Sequence, residues 1–94
     1  MAIGILTLHL RIPGCRSLKE KRSQLKPLMA RLQKEFNISV AELDYQDIWQ
    51  EAFIGVSCLS NDSRHTQRCL QKVITWVERN YPQFYIIQEQ IELL

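Results

Sequence analysis

The 94-residue chain has few cysteines and lacks any long apolar segment. Its three cysteines, Cys15, Cys58 and Cys69, are odd in number and form no C-x-x-C pair, which is typical of free thiols in a reducing compartment. No apolar run approaches the roughly 20 residues that span a bilayer. No basic residue precedes the apolar N-terminal stretch, so the sequence predicts no secretory signal. We therefore expect a cytoplasmic protein that has no membrane partner.

The sequence also lacks a metal-binding or catalytic pattern. His9 and His65 do not have ligand spacing with each other or with a cysteine. We interpret Cys58 and Cys69 as thiols of the core and not as nucleophiles. The sequence therefore predicts no metal, no cofactor and no catalytic residue.

Basic residues are absent from one long part of the chain. Residues 35–62 contain six acids and no Lys or Arg, whereas residues 11–34 contain eight basic residues and one acid, a local net charge of +7. The net charge of the whole chain is only +2, so its total charge conceals this separation. Such a separation of charge indicates the electrostatic field at the surface of a protein and the partners that the protein attracts, and says less about its fold.

The first third of the chain predicts a strand followed by a helix. Apolar and polar residues alternate over residues 2–12, and Pro13-Gly14 ends that strand. Ser17 and Glu20 form an S-x-x-E capping box, which begins a helix that runs to about Phe36. Pro27 lies inside this helical pattern, where it should kink the helix or delay its regular part.

The rest of the chain completes a split β-α-β arrangement. We predict strands at 38–45 and 51–60, a helix that begins in the N-cap cluster of residues 60–63 and ends at Pro82, and a last strand at 84–94. This order predicts a single α+β domain over residues 1–94 with the ferredoxin-like fold. In that fold, two helices cover one face of a four-stranded antiparallel sheet.

The solvent side of the helix layer is predicted to be basic. A solvated charged face is one interpretation, and a polyanion-binding surface is the other. Lys21 lies near the apolar side of its helix, so it either reaches out to solvent or joins Arg16 in an anion site at the helix N-terminus. The residues that we predict for polyanion binding are Arg16, Lys19, Lys21, Arg22, Lys26, Arg64, Arg68 and Lys72.

The face of the sheet without helices is predicted to be partly apolar and to form a homodimer. Apart from Phe53, the two central strands of the predicted sheet offer no aromatic platform on their open face. We therefore do not expect the sheet to bind single-stranded RNA by stacking bases on aromatic side chains. Any RNA contact should come from the helix side and should be sensitive to salt. The residues that we predict for the dimer face are Ile3, Ile5, Phe53, Phe84 and Ile86.

Two further residues leave alternatives open. Trp49, in the polar connection between two strands, is either packed over the sheet edge, which we favour, or exposed as an anchor for a partner. Arg16 and Asn61 are the two residue types that acylphosphatases use on this fold, so a phosphate hydrolase is a minor alternative. Asn61, however, follows the other end of a strand and is better explained as a helix cap.

Five segments resemble the YlxP-like family, a bacterial family whose function is unassigned. The resemblance covers the whole chain, and the pairing of S-L-K-E-K-R with F-N-I-S-V-A-E is its most specific part. It implies a ferredoxin-like fold without an established enzymatic activity, and its gene neighbourhoods imply a role around RNA or the ribosome. The segments are 3–13, 17–22, 36–42, 55–56 and 60–62.

We therefore predict a non-enzymatic protein that binds structured RNA, such as rRNA, or a ribosomal particle through its basic helix layer. The alternative is a homodimeric interaction module that binds no nucleic acid.

Overall fold

A computed structural model describes residues 1–94, and its strands and helices follow one another in the predicted order. The four strands form one antiparallel sheet, in which the first and third strands of the chain are central and the second and fourth form the edges, so the ferredoxin-like α+β fold is confirmed. Neither helix combines the length and the hydropathy of a membrane-spanning segment. The elements are β1 (Ala2–Arg11), α1 (Leu18–Glu35), β2 (Ser39–Asp44), β3 (Glu51–Ser60), α2 (Ser63–Asn80) and β4 (Tyr85–Leu93).

The core lies between the two helices and one face of the sheet. In β1 the side chains of Leu6, Leu8 and Leu10 are fully buried, while the residues between them face the other side. This period of two is what a strand with one covered face requires. The helices bury Leu28 and Val77, among others, against that face at the spacing of an amphipathic helix.

The start of α1 is fixed by the predicted capping box, in a modified form. The Ser17 hydroxyl accepts a hydrogen bond from the Glu20 N–H at 3.0 Å. The Glu20 carboxylate accepts in return from the N–H of Arg16, at 3.1 Å, and not from that of Ser17. Two free donors at the helix N-terminus are thereby satisfied without a ligand. The helix continues through Pro27 to Glu35.

The cap of α2 is Asp62 and not Asn61, so the prediction for Asn61 was wrong. The Asp62 carboxylate accepts a hydrogen bond from the N–H of Arg64 at 3.0 Å. Asn61 lies exposed, one position before the cap, in the connection from β3. Since Asn and Asp cap helices about equally well, residue preference alone could not decide between these neighbours.

A bulge in β4 overturns part of the predicted dimer face. His9 pairs with Gln88, but the next residue of β1, Leu10, pairs with Ile86, so Ile87 has no partner. Because the bulge adds one residue to β4, the residues before Ile87 point to the opposite face of the sheet from the one expected for a regular strand. Phe84 and Ile86 therefore belong to the core side: Phe84 is buried in the core and Ile86 packs against it.

Candidate functional site

Seven of the eight basic residues predicted to bind a polyanion are exposed on or beside the helices. None of the seven forms an ion pair, because the two ion pairs of the protein join His9 to Glu51 and Lys21 to Glu42. An exposed cation without a carboxylate partner is available to an external anion. The seven are Arg16, Lys19, Arg22, Lys26, Arg64, Arg68 and Lys72.

These cations form two clusters at opposite ends of the helix layer. Cluster A, on the first half of α1, consists of Lys19, Arg22 and Lys26, with Arg16 just before the helix. Cluster B, which runs from the start of α2 to just past its middle, consists of Arg64, Arg68 and Lys72. Since β1 and β3 are antiparallel, α1 and α2 also run in opposite directions. Each helix has 18 residues and is therefore about 27 Å long.

Arg31 of α1 contacts two aromatic residues near the C-terminal end and at the C-cap of α2. The Arg31 guanidinium lies 5.0 Å from the centroid of the Trp76 ring and 5.4 Å from that of Tyr81. Its Nη1 also lies 3.4 Å from the Tyr81 hydroxyl. These cation–π contacts hold α1 against α2, so the two clusters belong to one surface with a fixed geometry.

Lys21 does not belong to that surface. Its side chain is 2% exposed, and Nζ donates a hydrogen bond to the Tyr45 carbonyl at 2.6 Å and lies 3.1 Å from Glu42 Oε2. Both fates predicted for Lys21, reaching solvent or joining Arg16 at an anion site, were therefore wrong. Its helical phase had indicated the apolar side correctly, but the carboxylate that meets it lies 21 residues away in the sequence.

The Lys21–Glu42 pair joins the two most specific segments of the family resemblance. Lys21 belongs to S-L-K-E-K-R and Glu42 to F-N-I-S-V-A-E. Glu42 Oε2 is buried and accepts no aligned hydrogen bond. The positive charge of Lys21, 3.1 Å away, therefore compensates the cost of burying this oxygen. This pair therefore gives Lys21 and Glu42 a structural role, and it leaves the exposed cations of α1 without one.

The open face of the sheet retains three of the five residues predicted for a dimer. Ile3, Ile5 and Phe53 are half-buried there. Next to them, Leu43 and Leu59 are 51% and 60% exposed. An apolar groove between β1, β2 and β3 is lined in part by Ile5, Leu43 and Gly55. Leu43 and Leu59 thus take the place of Phe84 and Ile86 in the apolar patch, which lies on the side of the sheet away from β4.

Three rings, those of His9, Tyr45 and Phe53, meet on the same face. The His9 ring centroid lies 5.2 Å from that of Tyr45 and 6.2 Å from that of Phe53. His9 Nε2 is also 2.8 Å from the Glu51 carboxylate. Tyr45 has a positive φ of 62°, which turns it back over the sheet; nothing in the sequence marks this. The rings pack edge-on and tilted against one another, which is not a flat platform for bases.

Trp49 is exposed, so its predicted packing over the sheet edge was wrong. Its relative exposure is 49%, and that of the adjacent Ile48 is 42%. Both lie in the connection between β2 and β3, which we call the hairpin loop (residues 45–50). The alternative, an exposed anchor for a partner, is the one compatible with this placement.

The residues that the hydrolase alternative requires do not converge. Arg11 pairs with Glu51 at one end of the central strands, and Ala2 pairs with Ser60 at the other. Arg16 and Asn61 follow these opposite ends and are separated by the length of a ten-residue strand, about 30 Å. A phosphate cannot contact both residues.

The cysteines are free, and one has a perturbed acidity. Burial, and then a hydrogen bond with the Cys58 thiol, raise the pKa of Cys69 to about 11. A thiol with that pKa is protonated at neutral pH and is a poor nucleophile. No group of His, Cys, Asp or Glu side chains in the structure is arranged to hold a metal ion.

The comparisons with known proteins agree with the family resemblance. The model of a protein family described as "Protein of unknown function (DUF503)" matches residues 3–91. The chain belongs to this family. It is also 37% identical over 76 residues to "Uncharacterized protein YlxP" of Bacillus subtilis (strain 168), which covers 81% of this chain and 83% of the relative. The predicted YlxP-like family is thereby confirmed; neither description names a ligand or a reaction.

Proposed function

We propose that the protein is a non-catalytic, cytoplasmic RNA-binding protein that contacts structured RNA, such as rRNA in a ribosomal particle, through its helix layer. The observation that carries the proposal is that seven exposed cations of this layer have no carboxylate partner. Three free cysteines are compatible with a reducing compartment.

The separation of the two clusters favours an extended ligand. A single phosphate can neutralise cluster A or cluster B, but only a polyanion that follows the helix layer can neutralise both. RNA supplies phosphates along such a path, and the contacts would be to its backbone and therefore largely independent of sequence. The acids of the two helices are few, namely Glu20, Glu35 and Glu78, and Glu20 is engaged in capping α1.

The test is the salt dependence of RNA binding by two variants of equal net charge. Lys19→Gln with Arg22→Gln removes two positive charges from cluster A; Gln83→Glu with Gln90→Glu adds two negative charges at exposed positions outside the helices. With a structured RNA fragment, we expect the first variant to reduce the slope of log K against log salt by about 2 and the second to reduce it far less. An equal reduction in both variants would show that only net charge matters.

A second candidate function is homodimerisation through the open sheet face. It is favoured by the apolar groove beside Ile5 and by the exposure of Leu43 and Leu59. A dimer formed there would leave the helix layers of both copies facing outward, because helices and open face lie on opposite sides of the sheet. The two candidates are therefore compatible in one protein.

A further inference from the structure

The hairpin loop presents two large apolar side chains to solvent. Ile48 and Trp49 are adjacent and are 42% and 49% exposed. Trp is the residue type that most often anchors protein interfaces, because it combines a large apolar area with few rotatable bonds. Neither the RNA-binding proposal nor the sheet-face dimer uses this loop.

Hydrogen bonds anchor both ends of the loop, and such anchoring lowers the entropic cost of binding. The Tyr45 carbonyl accepts hydrogen bonds from the Lys21 ammonium at 2.6 Å and from the Ile48 N–H at 3.0 Å. At the other side, the Gln50 carbonyl accepts from the Ile12 N–H at 2.8 Å. The Gln50 side chain donates to the Cys15 carbonyl at 3.2 Å. The buried lysine thus positions the loop relative to the start of α1.

The charge around the loop selects a cationic ligand. Asp47 and Glu51 line one groove with Trp49, and the exposed Asp44 precedes the loop. These three acids outnumber the two exposed cations that flank the loop in space, Arg11 and Arg16. An Arg or Lys side chain can lie on the indole ring of Trp49 and reach a carboxylate of this groove at the same time. The molecule shows such a contact elsewhere, where Arg31 lies over Trp76.

We propose that the hairpin loop is a docking site for a basic segment of another protein, with Trp49 as its anchor and Asp44 and Asp47 as its charge partners. The choice of another protein over a second copy of this chain rests on the proposed function, because the chain's own exposed basic residues are then occupied by RNA. The protein would hold an RNA surface and a basic protein segment at the same time.

The test measures binding of a synthetic peptide of alternating Arg and Gly to the full chain at about 0.15 M salt. A peptide of the same length with Glu in place of Arg is the ligand control. In isothermal titration we expect Trp49→Ala to weaken binding about tenfold or more and Asp47→Asn to weaken it several-fold. Glu89→Gln removes one exposed carboxylate from β4 and should change affinity less than twofold.

A direct readout comes from fluorescence, since the chain has two tryptophans. In a Trp76→Phe background, the emission of Trp49 should shift when the Arg peptide is added and should not respond to the Glu peptide. Unchanged affinity in Trp49→Ala, or an equal loss in Glu89→Gln, would refute the docking site.

Two controls separate this proposal from its alternatives. A protein mass that rises with concentration and is restored to that of the monomer by Trp49→Ala would identify a second copy as the occupant and overturn the proposal. Trp49→Ala should retain RNA binding, and Lys19→Gln with Arg22→Gln should retain peptide binding. Failure of one proposal is therefore visible independently of the other.

Discussion

At the scale of single residues, Lys21 is the most informative side chain. It is 2% exposed and is paired with Glu42, whose side chain is 26% exposed. Breaking a buried pair costs about 3–5 kcal/mol, whereas replacing both partners by apolar residues is often neutral. We expect Lys21→Met to lower the free energy of unfolding by about 3 kcal/mol, at the low end because Glu42 is partly solvated.

The double variant Lys21→Met with Glu42→Leu should recover much of this loss, as measured by urea denaturation. Lys26→Met, on the exposed side of the same helix, is the matched control and should change stability by less than about 0.5 kcal/mol. If the double variant is less stable than Lys21→Met, the pair is not the source of the effect.

The acidity of Cys69 predicts slow alkylation that accelerates with pH. With a pKa of about 11, about one Cys69 thiol in a thousand is ionised at pH 8, against about a tenth for a thiol with the unperturbed pKa of 9.0. Iodoacetamide should therefore modify Cys69 on the order of 100-fold more slowly in the folded protein than in guanidinium. The rate should rise about tenfold per pH unit up to about pH 11, as followed by mass spectrometry. A rate independent of pH between 8 and 10 would contradict the shift.

Two glycines differ in what surrounds them. A Cβ at Gly4 would lie 2.6 Å from Thr66 Cγ2, and Thr66 is itself held by a 2.6 Å hydrogen bond with Ser60. A Cβ at Gly55 would meet the end of the Leu43 side chain at 2.6 Å, but Leu43 is 51% exposed and can rotate away. We expect Gly4→Ala to destabilise by about 1–3 kcal/mol and Gly55→Ala by less than about 0.5 kcal/mol. Thermal unfolding measured side by side would decide, and equal losses would contradict this difference.

At the scale of elements, the caps decide where helices begin. Asp62→Ala removes the acceptor for the Arg64 N–H and should cost about 1 kcal/mol in unfolding free energy. Asn61→Ala, one position earlier, should cost less than about 0.5 kcal/mol. Denaturant titration of both variants distinguishes the observed cap from the predicted one. A larger loss in the Asn61 variant would reverse the assignment.

The elements themselves could be predicted from the sequence, but their irregularities could not. The alternation of β1 and the capping box at Ser17 are local signals, and they gave the strand and the helix start correctly. The bulge at Ile87 is a property of how β4 pairs with β1, so no local pattern marks it. Phe84 and Ile86 were misplaced for that reason.

In the candidate site, too, features set by local sequence could be predicted, and features set by distant contacts could not. The 3.6-residue period of a helix indicates which of its residues face solvent. Seven of the eight residues predicted to bind a polyanion were for this reason placed correctly on the surface. The environments of Lys21 and Trp49 depend on how the hairpin loop folds back beside the start of α1. A contact between residues more than 20 positions apart is not encoded in any single segment, and both predictions failed there.

At the scale of the whole molecule, the open sheet face predicts self-association. The chain has a mass of 11.1 kDa, and we expect sedimentation equilibrium to show a mass that rises toward twice this value with concentration. Ile5→Lys places a charge in the apolar groove and should keep the protein at 11.1 kDa, whereas Trp49→Ala should not affect this association. A constant mass of 11.1 kDa at high concentration would exclude the sheet-face dimer.

The opposed directions of α1 and α2 have a consequence for how a ligand is oriented. The fold consists of two strand-helix-strand halves, and each half has one cluster of cations on its helix and one basic residue, Lys34 or Arg79, in the last turn of that helix. Rotating the helix layer by half a turn about its normal therefore exchanges cluster A with cluster B and leaves a similar charge pattern. A polyanion could lie on this layer in either of two directions with nearly the same electrostatic energy. The hairpin loop breaks this equivalence, because it lies beside the start of α1 and so places its acids next to cluster A and not next to cluster B.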